Sequence, residues 1–376
     1  MYIKTLELKD YRNYSDLSME FHNGINILYG DNAQGKTNIL ESIYVCGTTK
    51  SHKGSKDKEI IKLDKEEAHI RIFLERDKVV HKVDMHIKKN KPKGVAIDGL
   101  PIKKSSELFG IVNIVFFSPE DLCIIKNGPA ERRRFIDTEL CQLDKVYLYN
   151  LSNYNKIISQ RNNLLKQLGF NKKLMDTLSI WNMQLLEFGI KIIERRKLFI
   201  EQLNEIVYDI HNKLSGGKEQ LLIKYEPNVN IEEFSSKLAN SVERDIALKM
   251  TNVGPHRDDI SFLNGKLDIR KFGSQGQQRT SALSLKLAEI ELVKKITHDN
   301  PILLLDDVLS ELDRKRQNYL LNSIHDIQTI ITCTGLEELI TNRMDCDKIY
   351  RVVDGTVINE NTFTMDFTHR KTGGNI

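Results

Sequence analysis

Gly30-Asp31-Asn32-Ala33-Gln34-Gly35-Lys36-Thr37 stands between the apolar run INILY (25–29) and the helix-compatible run TNILESIYV (37–45). The octet fits GxxxxGK[ST], and a strand before it with a helix after it is the context in which that pattern holds phosphate. The glycines let the backbone turn sharply, so that successive N–H groups at a helix N-terminus point at one anion. Lys36 adds a point charge for the outer phosphates, and the Thr37 hydroxyl is a hard oxygen ligand suited to Mg²⁺. All eight residues are therefore candidates for holding ATP, with Lys36 also counted as catalytic.

A nucleotidase of this kind needs a second strand that ends in carboxylates beside the loop. Ile302-Leu303-Leu304-Leu305-Asp306-Asp307 is such a segment, an apolar run closed by two acids. In that place Asp306 would hold Mg²⁺ and Asp307 would orient the attacking water. Val308-Leu309-Ser310-Glu311-Leu312-Asp313 follows, and its Ser and Asp also suit a helix cap. Phe272-Gly273-Ser274-Gln275-Gly276-Gln277-Gln278-Arg279 opens a long helical pattern, which by itself is an ordinary polar helix start.

Away from these segments the hydrophobic period divides the chain. Alternation predicts strands at 3–8, 17–21, 25–29, 69–75, 79–87 and 111–117, with one helix at 37–45 among them. Ser118-Pro119-Glu120-Asp121 reads as a helix start. From about 130 to 214 the period becomes helical, in two stripes separated by a turn at Gly169-Phe170-Asn171. Short arms of this kind predict a helical lobe, not a coiled-coil rod. A strand is expected at 221–225, a helix at 231–250, hairpins at Asn264-Gly265 and Asp354-Gly355, and helices at 277–296 and 314–324. Strands are expected at 302–305 and 329–332, and the polar tail after Asp366 reads as frayed. The expected organisation is an α/β head with a mixed sheet, built from 1–129 and 250–376, with a mainly helical lobe, 130–249, inserted into it.

Composition narrows the class without naming a partner. With 56 Lys and Arg against 52 Asp and Glu, the net charge of +4 permits nucleic-acid binding but does not argue for it. Cys46, Cys123, Cys141, Cys333 and Cys346 lack metal-ligand spacing and read as reduced thiols. No secretory leader or membrane-length apolar run is evident, so the expectation is a cytoplasmic protein without membrane contact.

Taken in order, these segments resemble the ABC-type ATPase head. SELD at 310–313 resembles its D-loop, and Ser274-Gln275-Gly276-Gln277 resembles its signature, whose serine and helix N-terminus address the nucleotide held by a partner subunit. Over nearly its whole length the chain resembles the RecF family of bacterial recombination mediators. The resemblance rests on LELKDYRNY with Arg12, on FSPEDL at 117–122, on GPAERRRFID at 128–137 and on GPHRDD at 254–259. It implies an ATP-dependent homodimer that grips double-stranded DNA at gaps and works with RecO and RecR to load RecA on single-stranded DNA. It also implies nucleotide contact for Arg12, Ser274, Gln275, Gly276 and Gln277. Two departures from the wider ABC pattern, Asp307 where a glutamate is usual and no switch histidine in IITCTG, imply slow turnover. The basic candidates for DNA contact are Lys50, Lys53, Lys56 and Lys58, then Lys88, Lys89, Lys91 and Lys93, then Arg132, Arg133 and Arg134. His256 and Arg257 would either touch nucleotide or brace the lobes.

Other readings compete. A transporter ATPase subunit does not explain the helical lobe or GPHRDD. An SMC-type chromosome ATPase needs long coiled-coil arms, and a metabolic kinase leaves SQGQQ without a purpose.

Overall fold

The computed structural model describes residues 1–168, 174–335 and 346–360. The turn expected at Gly169-Phe170-Asn171 and the polar tail lie outside them. The amino-terminal part comprises β1 (Tyr2–Tyr11), β2 (Tyr14–Glu20), β3 (Ile25–Tyr29), α1 (Lys36–Thr48), β4 (Glu67–Arg76), β5 (Val79–Lys88), β6 (Lys91–Ile97), β7 (Leu100–Pro101) and β8 (Ile114–Phe117). Helices α2 (Leu122–Lys126), α3 (Pro129–Leu143), α4 (Lys145–Leu168) and α5 (Met175–Ser215) follow. Next come β9 (Leu221–Glu226), α6 (Ile231–Asn240), α7 (Val242–Leu248), β10 (Asp259–Asn264), β11 (Leu267–Asp268), α8 (Ile269–Phe272) and α9 (Gln275–Thr297). The chain closes with β12 (Ile302–Asp306), α10 (Arg314–Asn322), β13 (Thr329–Cys333), β14 (Lys348–Val353) and β15 (Thr356–Asn359).

Three sheets result. The central one runs β15-β14-β3-β13-β12-β8 and is parallel except for the β14–β15 hairpin. An antiparallel sheet runs β2-β1-β4-β5-β6-β7, and a small one runs β11-β10-β9. Central strands are mostly apolar because both faces are covered, and alternation then sorts their side chains. Ile25, Ile27, Val115, Phe117, Leu303, Leu305 and Ile331 enter the core shared with α3, α5 and α9. Leu28, Ile114, Phe116, Ile302, Leu304 and Ile330 enter the core shared with α1 and the antiparallel sheet. The helical region is thus packed into the head's own core.

Three differences from the sequence expectation have physical causes. Strand β6 was not expected, because Lys91-Pro92-Lys93-Gly94 reads as loop; a bulge opposite His86 and Lys88 lets the segment pair. The helix expected at 231–250 is two helices, broken at Ser241. The arms are not both short: α5 is one unbroken helix of 41 residues, about 60 Å at 1.5 Å per residue. It begins at Met175, a full ten residues before the apolar stripe that marked it in the sequence. It forms no free rod, because its carboxy-terminal half lies on α9 and β9. Gly189 lets it cross α6 closely, since a Cβ there would meet Phe234 Cε1 at 2.6 Å. Among the described residues no helix is long and apolar enough to cross a membrane.

Candidate nucleotide-binding site

The loop after β3 leads into α1 at the carboxy-terminal edge of the central sheet. Gly35 has φ +113, and a Cβ there would lie 2.5 Å from Asn13 Nδ2, so only glycine serves. The outside of the loop is clamped by two turns. Tyr14 Oη donates to Gly35 O at 3.1 Å and Asn13 Nδ2 to Gln34 O at 3.0 Å, both from the β1–β2 hairpin. From the β14–β15 hairpin, the Gly355 N–H donates to Gln34 O at 3.2 Å and the Asp354 N–H to Gln34 Oε1 at 2.5 Å. Lys36 is buried, and its ammonium is held over the loop by Gly30 O at 2.7 Å and Asp31 O at 2.8 Å. Asp31, Asn32 and Ala33 form the exposed crest.

Beside the loop, β12 delivers its acids. Thr37 Oγ1 and Thr332 Oγ1 both donate to Asp306 Oδ1, each at 2.8 Å, and the Asp307 N–H donates to Thr332 Oγ1 at 3.0 Å. Cis ligands of an octahedral Mg²⁺ at 2.0–2.1 Å lie about 2.9 Å apart, so the Thr37–Asp306 oxygen pair fits that ion. Both are hard oxygen donors, as the ion requires. Asp307 takes φ +52, a left-handed conformation that Asp tolerates better than most residues. Burial raises its carboxyl above the ordinary range; Asp306 adds to the rise, while Lys36 opposes it. The structure therefore brings together Gly30 to Thr37, Asp306 and Asp307.

It does not bring the signature segment to them. Ser274 caps α9: its Oγ accepts from the Gln277 N–H at 3.2 Å, and Gln277 Oε1 accepts from the Ser274 N–H at 2.8 Å. Ser274, Gln275 and Gly276 are exposed, and Gln277 Nε2 is anchored on Glu219 at 3.1 Å. Among the described residues no hydrogen bond or ion pair joins 274–277 to 30–37. Asp313 caps α10 through the Arg316 N–H at 3.0 Å, and Ser310 Oγ donates to Asp307 O at 2.9 Å. Arg12 is engaged elsewhere: its guanidinium grips buried Glu41 at 2.7 and 2.6 Å and also donates to Glu59 O and Ser55 Oγ. Burial works to raise the Glu41 carboxyl, but Arg12 and Ser51 outweigh it and hold it below the ordinary range.

Most of the basic DNA candidates are also taken. Arg132 is buried and pairs with Asp259 at 2.6 and 2.9 Å, so it is no phosphate contact. Arg133 donates to Asp258 O, and Arg134 to Ser51 O and His52 O. Lys93 is held by Asp57 at 2.7 Å, Lys89 by Glu66 at 2.8 Å and Lys88 by Glu67 at 3.2 Å. Lys50, Lys53, Lys56 and Lys58 are exposed.

GPHRDD is a brace. His256 shares a hydrogen bond with Tyr154 Oη at 2.8 Å and another with Thr251 O at 3.0 Å. Burial pushes its imidazole down to about 4. Asp258, 1% exposed, meets Arg196 Nη1 at 2.9 Å, Tyr225 Oη and the Asn228 N–H. Arg196, 2% exposed, also reaches Pro255 O at 2.7 Å and Asp137 at 2.8 Å. A second buried pair, Arg161 with Asp245 at 2.8 Å, ties α4 to α7. Sequence reasoning missed both arginines.

A phosphate loop clamped between two hairpins, paired carboxylates at the end of β12, which β13 separates from β3, and a separate capped helix define an ABC-type, SMC-like ATPase head. A family model described as RecF/RecN/SMC N terminal domain matches residues 2–358. The chain belongs to the RecF family of DNA replication and repair proteins. DNA replication and repair protein RecF of Lachnoclostridium phytofermentans is 69% identical over 357 residues, covering 95% of this chain and 99% of its own. That of Lachnospira eligens is 60% identical over 363 residues, covering 96% and 100%. A solved structure of the recombination mediator protein RecF-ATP in the RecFOR pathway superposes with a TM-score of 0.90 at 36% identity, over 95% of this chain and 97% of that one. The Smc head domain of Pyrococcus furiosus, at 18% identity and a TM-score of 0.55, shares the fold.

Proposed function

We propose that this chain is an ATP-switched DNA-binding protein that pairs with a second copy of itself. ATP and Mg²⁺ would lie between the loop 30–37 of one copy and the α9 N-terminus of the other. The observation that supports this most directly is Ser274, which heads a 23-residue helix and is exposed, remote from its own loop in bonding terms. Phe272, 71% exposed two residues earlier, would add an apolar contact at the same edge. Thr37 and Asp306 are the residues that would hold Mg²⁺, which when bound neutralises phosphate charge. Asp307 would accept a proton from water, and Lys36 would leave its two carbonyls for phosphate oxygens. With the shorter acid and no switch histidine, hydrolysis would be slow and act as a release step.

The RecFOR context of the solved relative supports partnership with RecO and RecR, and loading of RecA at gapped DNA would be the outcome of that partnership. For duplex contact the structure favours a cleft of about 1170 Å³ between the end of α1 and the helical region, the proposed lobe 130–249. Lys50, Lys104, Lys145 and Lys156 line it and, among the described residues, form no ion pair. Sedimentation with ATP, ADP and a gapped duplex tests this reading. The expected result is an ATP-only dimer that binds DNA, with Ser274→Arg still binding ATP as a monomer. Dimerisation of Ser274→Arg like wild type would refute the shared site.

A further inference from the structure

We propose that Glu67, His69 and His86 form a transition-metal site on the outer face of the antiparallel sheet, one that takes a borderline dication such as Zn²⁺. The placement follows from strand geometry. Alternation puts Glu67 and His69 of β4 on one face, while Ala68 and Ile70 point into the core. Register sets His69 directly opposite His86 of β5, and Glu67 opposite Lys88. The two imidazoles stack with centroids 3.9 Å apart. His86 Nε2 lies 3.0 Å from Glu67 Oε2, and His69 Nε2 lies 3.7 Å from Glu67 Oε1. One ligand atom from each residue lies within 4.8 Å of the others.

Tetrahedral ligands at 2.0–2.1 Å from Zn²⁺ are about 3.4 Å apart, and an ion lies in the plane of each ring that binds it. The half-exposed imidazoles would therefore turn out of their stack to complete three positions and leave the fourth to water. Two imidazoles and one carboxylate select Zn²⁺, Cu²⁺ or Ni²⁺ over Mg²⁺ and Ca²⁺, which prefer oxygen alone. The metal would take the place of the hydrogen bond between His86 Nε2 and Glu67, with the neutral imidazole carrying its proton on Nδ1. Lys88 opposes it: its ammonium sits 3.2 Å from the same carboxylate oxygen. That opposition supplies a diagnostic, since removing this charge should tighten the site while leaving all three ligands in place. A bound ion would clip β4 to β5, far from the phosphate loop in sequence.

Equilibrium dialysis of the full chain against Zn²⁺ alone, at pH 7.5 and without nucleotide, tests the assignment. Wild type should retain one more Zn²⁺ than His86→Ala or His69→Ala, each weakened about tenfold or more, and Lys88→Gln should bind several-fold more tightly. Zn²⁺ should also raise the thermal midpoint of wild type and Lys88→Gln but not of the histidine variants. Circular dichroism checks that the variants fold. Equal retention by wild type and both alanine variants, an adventitious ion only, would overturn the site, and so would Lys88→Gln binding no more tightly than wild type.

Discussion

Replacing Arg196 by methionine removes the cation from a deeply buried ionic network and leaves its acids behind. Asp137 is 26% exposed and can rehydrate, but Asp258 is 1% exposed and cannot. Removing one partner of a buried pair costs about 3–5 kcal/mol, because the remaining charge stays without compensation. Asp258 keeps the Tyr225 hydroxyl and the Asn228 N–H, which places the expected loss at the lower end, about 3 kcal/mol. That is a large part of the 5–15 kcal/mol that folded domains have to spare.

Urea unfolding followed by circular dichroism reads this directly, and pH gives it a second signature. Burial already raises the Asp258 carboxyl even with Arg196 opposing it, and without the arginine the rise should be greater. A carboxyl whose folded pKa is raised contributes stability that is present at low pH and lost as pH rises through its range. Arg196→Met should therefore lose more relative to wild type at pH 8 than at pH 5, and adding Asp258→Asn should recover about half the loss at pH 8. A deficit under about 1 kcal/mol at pH 8, or an equal deficit at both pH values, would refute this account of the brace.

Lys36→Ala should weaken ATP binding by on the order of a hundredfold, measured with a fluorescent analogue, since a charge-assisted contact to phosphate is lost. Asp307→Asn should retain ATP, hydrolyse it about a hundredfold more slowly and accumulate as the dimer in light scattering. Stability should fall as pH drops from about 6.5 towards 4. His52 and His256 are pushed down to about 4 by burial, so the unfolded chain takes up those protons first. His52→Phe, which keeps the stack on Phe116, should flatten that urea-midpoint profile, and an unchanged slope would count against it.

The nucleotide elements were legible because they are local. A strand, a glycine loop and a helix are contiguous, and an apolar run ending in two acids needs no long-range partner. Ile25–Tyr29 and the two hairpin turns therefore emerged where the period and turn residues place them. The ionic brace was not legible in the same way, because its partners come from five separate elements. A signal was nevertheless present. Arg196 stands four residues after Ile192 and three before Phe199, and Arg161 four after Ile157 and four before Leu165, each within an apolar helical stripe. A cation in such a stripe must be paired, and a search for acids in the motif GPHRDD would have found the partner of Arg196. The fate of Arg12 had no such signal, because Glu41 lies on the polar-looking side of α1 and only the fold shows it to be buried.

Among the described residues no hydrogen bond or ion pair joins GPHRDD to the phosphate loop, and chain order suggests why. Asp258 and Asp259 lead into β10, β10 into β11 and α8, and α8 ends two residues before Ser274. Arg132 from α3 and Arg196 from α5 hold the first of these steps, while α9 itself lies along α5. The position of the helix N-terminus is thus set at both ends by the helical region, whereas the loop 30–37 is set by the two hairpins. The two walls proposed for the shared site belong to separately supported parts of one chain. If so, Arg196→Met, under conditions where it remains folded, should bind ATP as a monomer with wild-type affinity yet pair more weakly. Loss of monomer affinity along with pairing would place the brace behind the loop instead, and the division between the two walls would fail.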